Sequence, residues 1–114
     1  MDERKTSQAA ARWAYAADRL PGTLDELSGP VAGTVELPLH LAWSGLRAFD
    51  LENTKLLLGM YRIVLNNGLR EDFVEHLDAE RLVAHWPILR KMLGRGVRTV
   101  WEDAFAELRQ VDAA

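Results

Sequence analysis

The ten residues LLLGMYRIVL, Leu56 to Leu65, carry a single charge, Arg62. Apolar side chains occupy nearly every position, so at 3.6 residues per turn they surround any helix formed there. A helix apolar all round belongs in the middle of a domain, and a run this short cannot span a bilayer. The segment therefore predicts a central helix with the rest of the chain packed around it. Asp50 stands where a cap is needed and Asn67-Gly68 supplies a stop, which places the helix over residues 50–66. Arg62 is then expected to hold a structural ion pair or backbone carbonyls inside the domain, because an isolated buried charge is costly. The acids between Glu71 and Glu80, or Glu102, are the expected partners. The competing reading is that Arg62 reaches the surface and contacts an external ligand.

At 114 residues and 48% hydrophobic composition the chain can build one such core. Trp13, Ala16, Ala17 and Leu20 fall at helical spacing and predict a helix over 6–20, ended by Pro21-Gly22. Thr23 to Glu26 is a capping-box pattern that opens a very short helix. Residues 31–37, VAGTVEL, are the only strand-like run. No convincing partner strand is visible, so the segment is expected to lie extended across the helices or, at most, to form a small hairpin or pair with another chain. Pro38 is expected to start a short helix in which Leu39, Leu41 and Trp43 point inward and Ser44-Gly45 end it. A helix over 69–77 follows, and Asp78 caps another from Ala79 to about His85. Trp86, Leu89, Leu93, Val97, Val100, Ala104 and Leu108 keep one register through Gly94 and Gly96. They predict a final helix over 87–108, about 33 Å long at the standard rise. The expected fold is all-α: one domain over residues 1–114, a single compact bundle of about six helices with an extended segment near 31–38, and residues 1–5 frayed.

Candidate chemistry is sparse. His40 and Ser44 are four residues apart, but the flanks do not match a G-x-S-x-G elbow, and there is no parallel sheet to hold one. His40, His76 and His85 lack metal-ligand spacing, and the chain has no cysteine. The acidic pairs Asp25/Glu26, Glu71/Asp72 and Glu102/Asp103 read as solvated helix starts. No catalytic, cofactor-binding or metal residue is expected, and no enzyme activity. The highly charged start, MDERKTSQAAARW, lacks an apolar stretch, so no signal peptide is expected. With no cysteine either, a cytoplasmic protein without membrane association is the expectation.

Charge is segregated. Residues 71–80 carry five acids and no Lys or Arg, whereas residues 81–98 carry Arg81, Arg90, Lys91, Arg95 and Arg98 and no acid. Lys91, Arg95 and Arg98 would form a cationic stripe on one long helix. Arg90, Lys91, Arg95 and Arg98 are therefore the candidate partner-binding residues, and the last helix and the extended segment from Val31 to Pro38 are the expected contact surface. A net charge of −3 disfavours a nucleic-acid partner, since phosphate neutralisation supplies most of such affinity. A transcriptional regulator using this basic face is the alternative reading.

Across residues 13–108 the chain resembles a group of small helical proteins of high-GC actinobacteria. The marks are Pro38, Trp43, Ser44, Gly45, Tyr61, Arg62, Gly68, Trp86, Pro87, Leu89, Arg90, Trp101, Glu102 and Phe105. Similar proteins are encoded beside nucleotidyltransferase-like toxins. The resemblance implies a non-enzymatic, antitoxin-like module that binds and neutralises such a toxin. It supplies no catalytic or ligand residues to carry over.

Overall fold

The computed structural model describes residues 20–42 and 45–109. The expected helix 6–20, Leu20 apart, lies outside the described residues, as do Trp43 and Ser44. The described chain opens with a single 3-10 turn, Leu24–Glu26. Glu26 Oε2 accepts from the backbone N–H groups of Gly22 and Thr23 at 3.0 and 3.3 Å, the acidic half of the expected capping box.

Next comes a small antiparallel sheet of β1 (Thr34–Glu36) and β2 (Ala48–Asp50). Val35 faces Phe49, and the ladder is extended by Leu51 N–H to Gly33 O and Leu37 N–H to Arg47 O. Thr34, Glu36, Ala48 and Asp50 are exposed, while Leu37, Phe49 and Leu51 are buried and Val35 is half-buried, the period-2 alternation of a one-sided sheet. Gly33 and Gly45 take φ of 82° and 85°, conformations that favour glycine. Of the alternatives for this segment the small hairpin is the one found, with Ala48–Asp50 as the partner strand, so Asp50 belongs to a strand. Asp50 caps no helix; its Oδ1 accepts from Glu52 N–H in a local turn.

Asn53 is the actual cap, accepting from Leu56 N–H at 3.2 Å, and α1 runs Thr54–Asn67. Leu57, Met60, Tyr61, Val64 and Leu65 are buried, one face at i, i+3, i+4, i+7 and i+8. Leu56, Leu58 and Ile63 are half-buried, and Lys55, Arg62 and Asn66 are exposed. The helix is central, packing against β2 and the two helices that follow, but one strip of it faces solvent.

α2 spans Arg70–His76 and α3 spans Ala79–Met92, capped by Asp78 Oδ2 on Arg81 N–H. α3 passes through Pro87, where a boundary was expected. Pro87 and Ile88 are exposed, while Leu82, Trp86 and Leu89 are buried at i, i+4 and i+7. The interior proline costs about 3 kcal/mol, and burial of the facing stripe offsets it. The break falls at Leu93 and Gly94, which are extended, and α4 (Arg95–Ala104) and the single turn α5 (Ala106–Arg109) follow. The single 87–108 helix is therefore corrected to three pieces. Trp86 Nε1 donates to Glu102 Oε2 at 2.8 Å, yet sixteen residues of one straight helix would separate them by about 24 Å. The described residues form five α-helices, one 3-10 turn and a two-stranded sheet, so the fold is mostly helical rather than all-α.

Its core gathers Leu37, Phe49, Met60, Tyr61, Leu77, Leu82, Trp86, Leu89, Trp101 and Leu108 with their neighbours. Phe73 meets Trp101 edge-on, ring centroids 5.1 Å apart, and Trp101 lies 5.5 Å from Phe105.

Candidate functional site

Four polar constellations and one surface emerge from this frame. In the first, the turn after β1 brings His40 over α2, where His40 Nε2 lies 2.9 and 3.1 Å from the two Asp72 oxygens. Asp72 is buried, while the His40 side chain is 55% exposed. Asp72 also accepts from Leu69 N–H at 2.9 Å, closing the first turn of α2. An Asp–His pair can orient an imidazole for proton transfer, but that needs a reacting group in reach. Ser44 lies outside the described residues. What the pair visibly does is tie the hairpin loop to α2. Leu39, expected to point inward beside it, is 61% exposed; Leu41 is buried as expected.

The second constellation is Trp86, Arg90 and Glu102. Glu102 Oε2 accepts from both Trp86 Nε1 and Arg90 Nε, the latter at 2.6 Å. The Arg90 hydrogen bond, helped by the Trp86 N–H and the Arg98 charge, holds the Glu102 carboxyl below its ordinary range against the opposing effect of burial. Asp72 and Glu102, read from sequence as solvated, are both built into the scaffold. The signal that was available for the second is Trp86 and Arg90 at i, i+4, two donors on one helical face.

In the third, the Tyr61 hydroxyl accepts from Asp78 N–H at 2.9 Å, fastening α1 to the cap of α3. Burial pushes its pKa up to about 12, so it stays a neutral phenol. In the fourth, Glu26 pairs with Arg70 at 3.2 Å on the surface, which lowers the Glu26 pKa. Of the remaining histidines, His85 is half-buried and His76 Nε2 is buried without a hydrogen-bond partner among the described residues. No three His, Asp or Glu side chains converge in a metal-ligating group among the described residues.

Lys91, Arg95 and Arg98 do not lie along one continuous helix as expected. Arg90 is engaged with Glu102, and Arg98 is half-buried near the same carboxylate. Lys91 and Arg95 are exposed, but on opposite sides of the break between α3 and α4, so the i, i+4 relation is lost. The expectation for Arg62 is also corrected. It is exposed, with no ion pair or hydrogen bond among the described residues. The reason is the solvent strip of α1: a helix one-third free gives its guanidinium a way out.

Large apolar side chains left in solvent are Val31, Leu39, Leu46, Leu69 and Ile88. Val31, Leu39 and Leu46 lie on the hairpin and its flanks. Leu69 joins them through Asp72, which binds both its backbone and His40. Leu39 and Leu46 share the loop that joins β1 to β2, so one connection holds two large apolar side chains in solvent. No helix among the described residues is long and apolar enough to cross a membrane. No family model, no curated protein and no solved structure matches this chain.

Proposed function

We propose that this chain is a non-enzymatic protein-binding module, an antitoxin-like partner that masks a nucleotidyltransferase-type toxin encoded beside it. The observation that carries the reading is the hairpin loop. Leu39 and Leu46, both in the loop that joins β1 to β2, are 61% and 55% exposed, and His40 of the same loop pairs with Asp72 of α2. Exposed apolar side chains held on a rigid scaffold suit a protein interface. The resemblance to actinobacterial proteins supplies the partner class. Of the two expected contact surfaces, the last helix and the extended segment from Val31 to Pro38, the second is preferred, together with the loop that follows it. A net charge of −3 and the scattering of Arg90, Lys91, Arg95 and Arg98 weigh against a nucleic-acid regulator.

Co-purification of the untagged chain with the neighbouring gene product tests this directly. The two are expected to elute as one complex, and the double variant Leu39→Asp/Leu46→Asp is expected to abolish it with melting unchanged. Independent elution at micromolar concentrations, or salt-sensitive binding to duplex DNA in place of the protein, would overturn the reading.

A further inference from the structure

A groove of about 400 Å³ runs between the hairpin and α1, lined by Leu46 and Phe49 on one side and by Gly59, Arg62, Ile63 and Asn66 on the other. Gly59 occupies the interior of α1, where glycine is a poor helix former. Packing does not require it: a Cβ built there would meet only Phe49 Cε2, at 4.0 Å, an ordinary contact. The absent side chain keeps the groove floor open. On the rim, Leu46 is 55% exposed. Arg62 is exposed and has no partner among the described residues. No carboxylate is among the residues lining the groove, and α1 carries Lys55 and Arg62 but no acid. Lys55, Gly59, Arg62 and Asn66 follow at i, i+4, i+7 and i+11, so cation, gap, cation and amide share one helical face.

We infer that this groove receives a short acidic segment of the partner protein. Its apolar side chain sits over Gly59 against Phe49, Ile63 and Leu46, and its carboxylate is forked by the Arg62 guanidinium with the Asn66 amide beside it. The inference rests on the protein-binding reading above and names the chemistry of the partner's contact. Arginine presents paired donors in the geometry of a carboxylate, and an apolar recess next to it selects a side chain rather than a bare anion. A nucleic-acid strand is the poorer fit, because backbone binding requires several cations in a row and no apolar recess.

The test uses the isotope-labelled full chain and a short blocked peptide alternating glutamate and leucine, with a glutamine-for-glutamate peptide as control. The acidic peptide is expected to shift the backbone amides of Gly59, Arg62, Ile63 and Asn66 saturably. The glutamine peptide and the Arg62→Glu variant are each expected to weaken binding about tenfold or more, with the melting temperature of the variant unchanged. Gly59→Leu, which fills the groove, is expected to abolish the shifts, while Gly59→Ala retains them. Equal binding of the two peptides, no binding of either, or shifts that survive Arg62→Glu would overturn the inference. So would stronger shifts of the same amides by a single-stranded oligonucleotide or by inorganic phosphate. Capture of the neighbouring gene product that is undiminished by Arg62→Glu would overturn this inference while leaving the protein-binding reading intact. Failure of that capture, with the acidic peptide still bound through Arg62, would support the groove chemistry and remove the proposed partner.

Discussion

Glu102 accepts from two side chains of one helix while standing on the next. One of its oxygens accepts from the indole of Trp86 and the guanidinium of Arg90, so a single carboxylate links α3 to α4 across the break at Gly94. Because Arg90 lowers its pKa in the folded chain, the folded state binds fewer protons than the unfolded state in acid. The stabilisation is therefore complete above the ordinary glutamate value and is lost as pH falls through the lowered folded one. Thermal melts of the wild type are expected to fall as the pH drops below about 4. Glu102→Gln is expected to flatten that fall and to cost about 1.5–3 kcal/mol near neutrality, the usual worth of a hydrogen bond to a charged group. Equal acid sensitivity in the variant would show that Glu102 does not couple to folding.

At the scale of elements, α1 shows how an apolar run is apportioned. Leu57 is 3% exposed and belongs to the core, whereas Leu58, the next residue, is half-buried because it lies about 100° round the helix. Leu57→Ala is expected to cost about 2–5 kcal/mol by leaving a cavity. Leu58→Ala should cost clearly less, in proportion to its smaller buried area. Chemical denaturation of the two variants measures this, and equal losses would mean that the solvent strip of α1 is covered in solution. The same strip explains Arg62, whose surroundings in the sequence are apolar but whose face of the helix is open.

Over the whole molecule, segments far apart in sequence are pinned to α2. Ser28 N–H and Gly29 N–H donate to the carbonyls of Val74 and Leu77 at its C-terminal end. A Cβ on Gly29 would stand 2.6 Å from His76 O and Leu77 N, backbone atoms that cannot move aside, so only glycine lets that loop approach. At the other end Asp72 holds both Leu69 N–H and His40. Asp72→Ala removes a helix-capping acceptor and the hairpin anchor together. It is expected to cost about 1–2 kcal/mol by the capping loss alone and to speed amide exchange in the hairpin more than in α1. Uniform acceleration across the chain would mean that the hairpin opens only with global unfolding.

Local signals were legible in the sequence where neighbours along the chain decide the outcome. The Thr23-to-Glu26 cap, the Asp78 cap, the strand within the 31–37 run (Thr34–Glu36) and the apolar centre of α1 are of this kind, because each depends on groups within a turn of one another. Tertiary structure decided what depends on distant partners. Ala48-Phe49-Asp50 is a strand because Val35 faces Phe49 and β2 packs on α1; on its own the stretch reads as the cap of a helix. The register from Trp86 to Leu108 is indifferent to a bend, since residues on both sides of Gly94 fold onto the same core and keep their spacing. Burial of Asp72 and Glu102, and exposure of Arg62, likewise follow from which helix face meets a neighbour. Periodicity fixes the direction of a side chain around its own helix, but what lies in that direction is set by the rest of the fold.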